Sequence, residues 1–259
     1  MQSTINIEDH LTKLYALWLR EFKVFLRERS RLVAATFTPV LWLFVIGSGL
    51  NSANPSTPPG LDYQQFIFPG ILSMSIIFTS VFYGSYIIWD RKFDFLKSVM
   101  VAPVSRTTVF VGKTLGGMTN SLIQAAILLA IGVVIGIQFT PLSLAGAVAI
   151  VLLMSFGLTS LGLALGSYMY SLEGFQMIVS FVAFPLFFLS GALFPLDNLP
   201  DWLSLLTAAD PVAYGVDALR NLVLSTSTYA AGFDLAILAG YVAALGAFGV
   251  YSFTRMKAV

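Results

Sequence analysis

"GVVIGIQFTPLSLAGAV", residues 132–148, holds the two residues on which the fold turns. Thr140 and Pro141 alone separate two apolar runs, 114–139 and 142–170, and neither run contains Asp, Glu, Lys or Arg. Read as one helix, the pair would be about 55 residues and, at about 1.5 Å per residue, roughly 85 Å long. The hydrocarbon core of a bilayer is about 30 Å thick. Two helices joined by a tight turn are required, with Gly136, Gln138 and Pro141 as the breakers.

Outward from that turn, four more apolar stretches have the length to cross a bilayer: 32–50, 66–89, 175–194 and 235–253. None of them contains Asp, Glu, Lys or Arg. The whole chain is 57% hydrophobic and only 10% charged, against about 25% charged in a soluble domain. Mean hydropathy is +0.84. The expected fold is an all-α polytopic membrane protein with six transmembrane helices. One domain covers 1–259: an N-terminal interfacial helix in 1–31, the bundle in 32–254 and a tail in 255–259. The first 31 residues lack the apolar core of a cleavable leader, so the first span is expected to act as its own insertion signal.

Lysine and arginine alternate between loops. Residues 1–31 hold Lys13, Arg20, Lys23, Arg27, Arg29 and Arg31, and 51–65 hold none. Arg91, Lys92, Lys97 and Arg106 follow the second span, with Lys113 just beyond. The turn at 140–141 is bare, and 195–234 has only Arg220 against five aspartates. The tail has Arg255 and Lys257. The positive-inside bias therefore predicts a cell (inner or plasma) membrane protein with both termini cytoplasmic. The short "SLEG" turn, with Glu173, is the exception.

Several chemistries are excluded. Cysteine is absent, and His10 is the single histidine, expected at a solvated surface. No metal site or nucleophile with its base can be assembled in the spans. A net charge of +1 gives no reason to expect a nucleic-acid partner. "GKT" at 112–114 resembles part of a phosphate-binding loop, but the first glycine of that motif would fall on Thr107. We read it as the lead-in to a span, with Lys113 snorkelling to the headgroups. Gradient-driven carriers place a titratable group in the membrane, at a cost of about 2.5–3.5 kcal/mol at a helix centre. Its absence from the six stretches points to energy supplied by another protein.

Between the second and third spans lies "DRKFDFLKSVMVAPVSR", residues 90–106. Phe93, Leu96, Val99, Met100 and Pro103 recur at helical steps, so a helix with one apolar and one charged face is expected. It suits a docking knob for a soluble partner; lying on the membrane surface is the plainer alternative. Residues 11–25 carry a second stripe, Leu11, Leu14, Tyr15, Trp18, Phe22 and Phe25, with Lys13, Arg20 and Lys23 off it. That is the pattern of a helix lying in the interface, its basic residues toward lipid phosphates; packing on a partner protein is the other reading. In 195–234, two apolar runs too short to span flank "DP", where Asp210 is placed to cap a helix beginning at Pro211. A re-entrant hairpin or an ordinary external hairpin fits, with Asp217 and Arg220 spaced to pair.

The run continuing to "TTVFVGK" at 107–113 resembles the cytoplasmic loop of type-2 ATP-binding-cassette (ABC) transporter permeases, in the branch of daunorubicin-resistance-like exporters. Its core is Ala102-Pro103-Val104-Ser105-Arg106, then Gly112-Lys113. "FPLFFLSGALFPLDNLP" at 184–200 and "DPVAYGVDALR" at 210–220 agree with it. The resemblance implies a coupling helix seated in a separate ATPase subunit, with Asp90, Arg91, Phe95, Leu96, Pro103, Val104, Ser105 and Arg106 at or near the contact. It implies a second permease copy or paralogue, ATP and Mg on the ATPase and no cofactor in this chain, and outward movement of a lipid-like, glycan or drug substrate. A passive channel or scaffold without an ATPase is the alternative. Asp210, Pro211, Tyr214, Asp217 and Arg220 would form the re-entrant element.

Ser75, Thr79, Tyr83 and Tyr86 share one face of the second span and are candidates for an amphipathic substrate path; helix-to-helix bonding is the commoner use of such residues. Phe187 and Phe188, with Phe184, Gly191 and Leu193, are candidates for the same path or a dimer axis. The pairs Gly132/Gly136 and Gly162/Gly166 are expected to allow close helix packing.

Overall fold

The computed structural model describes residues 7–51, 62–101, 104–196 and 199–256. Among them every regular element is helical, and six helices are long and apolar enough to cross a membrane. The chain is a multi-pass membrane protein.

Helix α1 (Ile7–Arg27) precedes the first span, in which α2 (Arg29–Leu41) passes through a π-helical turn at Trp42–Ile46 into α3 (Gly47–Asn51). The second span is α4 (Tyr63–Phe82) continued, after a break at Tyr83 and Gly84, by α5 (Ser85–Lys92). Short α6 (Phe95–Val101) leads to the third span, α7 (Arg106–Val134), and the fourth, α8 (Pro141–Tyr168). The fifth span is α9 (Leu172–Leu189). Then come α10 (Asp201–Ala209), α11 (Pro211–Leu224) and the last span, α12 (Ala231–Arg255).

The turn at 140–141 forms as expected. Gly136 takes φ +91°, where a side chain would be strained. Thr140 caps α8 by accepting from the Ser143 N–H at 3.1 Å, Ser143 Oγ accepts in return from the Thr140 N–H, and Pro141 fills the first helical position.

The helices outrun their apolar windows because the second and third spans are 30 and 29 residues long, about 45 Å against a core of about 30 Å. This corrects one expectation: as folded, the spanning helices do include ionisable residues. Asp90, Lys113 and Asp234 are all buried, each within eight residues of a helix end.

The second span is the hub, packed against α7, α8, α9 and α11. It meets α8 backbone to backbone: a Cβ on Gly84 would sit 1.9 Å from the Gly162 carbonyl oxygen, and one on Gly166 2.4 Å from that of Gly84. The Gly162/Gly166 pair does serve close packing. At the opposite end of the bundle, Asp210 caps α11 by accepting from the Val212 N–H at 2.9 Å, and α11 is buried against α4, α8 and α12. An external hairpin standing clear of the spans is therefore not what forms. Helix α10 leaves Trp202, Leu205 and Leu206 exposed.

Candidate functional site

The site begins where α5 stops. Asp94 adopts φ +55°, a left-handed conformation that a short polar residue tolerates, and the chain turns into α6. The single amphipathic helix expected over this stretch is two helices with a corner. Its apolar face is also not a free knob. Leu96 is buried in a cluster with Val109, Phe110, Leu163 and Phe253, and Val99 and Val104 pack against it. The large groups left outside are Phe93, 71% exposed, and Val101. Ser105 caps α7, accepting from the Thr108 N–H at 3.1 Å. Ala102 and Pro103, and the side chains of Lys97 and Met100, lie outside the described residues, as does the side chain of His10.

Two arginines strap this corner to the ends of other spans. Arg91 donates to the carbonyls of Met169 (2.6 Å) and Ser167 (3.0 Å), at the C-terminus of α8. Arg106 donates to the carbonyls of Thr254 (2.6 Å) and Met256 (3.0 Å), at the C-terminus of α12. Cations there satisfy carbonyls that have no helical partner and oppose the negative end of the helix dipole.

Beneath the corner lies a buried ion network. Lys113, 1% exposed, donates to Glu21 Oε1 at 3.1 Å and to Asp90 Oδ2. Arg20 donates to Glu21 Oε1 at 2.6 Å and to Asp90 Oδ1 at 2.7 Å, and its guanidinium lies 3.5 Å over the Phe95 ring. The Tyr83 hydroxyl donates to Glu21 Oε2 at 2.7 Å. Two cations face two carboxylates, so the charges balance. Burial would raise the affinity of Glu21 for a proton; Lys113, Arg20 and the Tyr83 hydroxyl outweigh it and hold the carboxyl below its ordinary range. Lys113 is therefore an internal partner rather than a snorkelling lysine, and Arg20 turns to Asp90 rather than to lipid phosphates. As part of the interior of α7, "GKT" cannot form a phosphate loop.

On the other face of α5 is a cavity of about 730 Å³, walled by α2, the second span, α7 and α9. Trp42, Phe78 and Phe184 supply apolar wall. Thr79 donates to Gln124 Oε1, and Gln124 Nε2 donates to the Ala35 carbonyl at 2.6 Å, tying three spans together. Ser75 and Asn120 line the same space, and Ser75 Oγ and Asn120 Oδ1 are buried without a partner. Trp89 lines it too, and stacks on Phe93 with ring centroids 5.7 Å apart. Neighbouring residues of α5 thus face different places: Asp90 the ion network, Trp89 the cavity.

The family model for the "ABC-2 type transporter" matches residues 12–224. The chain belongs to the ABC-2 type transporter family. The permease is 29% identical over 229 residues to the putative transport permease ycf38 of Cyanophora paradoxa, covering 87% of this chain and 79% of that one. It is 26% identical over 211 residues to the inner membrane transport permease YadH of Escherichia coli K12, covering 80% and 81%. Over 175 residues it is 26% identical to the probable multidrug ABC transporter permease YbhR of the same strain, covering 66% of this chain and 46% of that one.

Set on this permease, the predicted path residues divide. Ser75 and Thr79 line the cavity, while Tyr83 turns to Glu21 of α1 and the Tyr86 hydroxyl donates at 2.6 Å to Oε2 of Glu28, the residue between α1 and α2. Phe187 packs edge-on against Trp42, and Phe188 is partly exposed beside it. Asp217 accepts from the N–H groups of Thr228 and Tyr229, and Arg220 donates to the Gly191 carbonyl at 2.9 Å, so each finds partners beyond its own helix. The Tyr214 hydroxyl donates to the Ala208 carbonyl, closing the α10–α11 corner.

Sequence reasoning missed Glu21, Asn120 and Gln124. Glu21 had a signal: Leu14, Leu17, Glu21 and Val24 recur at helical steps as a second stripe on α1. Leu14 and Leu17 of that stripe lie against Gly112 of α7. The two amides had none, since a lone amide in an apolar helix reads as helix-to-helix bonding.

Proposed function

We propose that this permease is the membrane half of an ATP-driven exporter. A separate ATP-binding-cassette ATPase, holding ATP and Mg, docks at the α6 corner on the cytoplasmic side, where both termini lie. A second permease copy or a paralogue completes the pathway. An amphipathic substrate enters the cavity and leaves outward.

One observation carries the reading. The α6 corner is joined by named bonds to four other elements: α8 through Arg91, α12 through Arg106, and α1 and α7 through Asp90. A push on the exposed Phe93 edge is therefore delivered to several spans at once, which a free surface loop could not do. The ionisable groups of the spans sit near helix ends, away from the mid-membrane position that a gradient-driven carrier uses.

The test is affinity purification of the chain from its native membrane in mild detergent. A Walker-motif protein should co-elute, and Arg106→Glu or Phe95→Ala should weaken the association and slow ATP-dependent efflux. A chain that purifies alone under every condition and moves substrate without ATP overturns the proposal.

A further inference from the structure

We infer that the cavity selects an amphiphile with an uncharged head that both donates and accepts hydrogen bonds, such as a polyol or an amide, carried on a single apolar tail. This rests on the reading of the cavity as the substrate chamber. At about 730 Å³ it is the size of a small-molecule site, apolar with a few polar groups. The polar groups decide the head. Asn120 is 5% exposed and Ser75 3% exposed, and Asn120 Oδ1 and Ser75 Oγ have no partner. A buried unpartnered amide or hydroxyl is costly, and a ligand that bonds it recovers that cost.

Thr38, Thr79, Ser85, Gln124 and Gln176 complete the polar side of the lining, and all are uncharged. Gln124 is held at both ends, by Thr79 and the Ala35 carbonyl. Arg31 is the one charged residue in the lining among the described residues. Its guanidinium lies over the Tyr86 ring at 4.7 Å and 3.6 Å from Glu28, so an anionic head would have to compete with both for it. A cationic head would meet no carboxylate in the lining, and an anionic one would have to draw Arg31 from Glu28, each at a desolvation cost that the amide and hydroxyl cannot repay. Trp42, Phe78 and Phe184 take the tail.

Trp42 and Trp89 line the cavity and report on it directly. The full chain in lipid nanodiscs is titrated with three probes that share a terminally brominated undecyl tail and differ in head: maltoside, sulfate and trimethylammonium. Bromine quenches the tryptophan it touches. Saturable quenching should be about tenfold tighter for the maltoside, the size of one or two buried hydrogen bonds. It should vanish in Trp42→Phe/Trp89→Phe. Asn120→Ala and Ser75→Ala should each weaken the maltoside alone. Asn120→Asp should raise the affinity of the trimethylammonium probe, a gain that misfolding cannot produce. Equal affinity for all three heads, still lost in the double tryptophan variant, overturns the head-group inference and leaves the chamber reading standing. No saturable quenching by any probe overturns both, and makes a second copy of the chain or bilayer lipid the occupant.

Discussion

The Phe93 ring stacks on the Trp89 ring with centroids 5.7 Å apart and planes 10° from parallel. Phe93 is outside and Trp89 lines the cavity, so one aromatic pair spans the distance from the proposed docking edge to the proposed chamber. Phe93→Ala should leave insertion and thermal stability almost unchanged, because little is buried there. It should reduce the stimulation of the ATPase by substrate severalfold. Wild-type stimulation in a correctly assembled Phe93→Ala complex would show that the stack transmits nothing.

The ion network makes an asymmetric prediction. Lys113→Met leaves Glu21 and Asp90 buried around an apolar side chain, and removing one partner of a buried pair costs about 3–5 kcal/mol. Lys113→Met/Glu21→Gln restores the charge balance and should recover much of that loss. Thermal unfolding of the two variants in one detergent checks the order; a double variant less stable than the single one contradicts it.

Acidity should release α1. The Glu21 carboxyl titrates lower folded than unfolded, so its stabilisation is present above the ordinary carboxylate range and is lost as pH falls through the depressed value. The Trp18 indole donates to Thr119 Oγ1 at 2.9 Å, which ties that tryptophan to the docked state. With the other three tryptophans changed to Phe, the Trp18 emission should shift on acidification, and Glu21→Gln should flatten the transition.

Asp210 predicts the opposite sign. Burial pushes its carboxyl up to about 8, against the Val212 N–H bond that favours the anion. A folded value above the unfolded one gives stabilisation that is full below the ordinary carboxylate value and fades as pH rises through about 8. Asp210→Asn keeps a capping side chain and removes the titration. Hydrogen exchange at the start of α11, corrected for intrinsic rates, should quicken above that pH in the wild type and stay level in the variant.

What was legible follows from what each signal depends on. The Thr140–Pro141 turn and the six spans were readable because apolar length and turn chemistry act locally. The Asp210–Pro211 start of α11 was readable for the same reason. Lys113 was misread because a lysine at the edge of an apolar run snorkels unless something faces it, and what faces it is Glu21 of α1, 92 positions away, together with Asp90 at the end of the second span. Leu96 and Val99 showed that the segment after the second span has an apolar face, but not that Phe253 and Val109 already cover it. The cavity was half visible, in Ser75 and Thr79. Its floor, Asn120 and Gln124, exists only once α7 lies beside α4.

The central claim is that a soluble ATPase drives the spans through the α6 corner. Its most direct measurement is photo-crosslinking in cells from a benzophenone amino acid placed at Phe93, 71% exposed and beside the Trp89 link. The account predicts an adduct with a Walker-motif protein, abundant at Phe93 and absent when the same label replaces Trp202, which is exposed at the opposite end. Adducts with lipid alone at Phe93, in cells that still export by ATP hydrolysis, would contradict it.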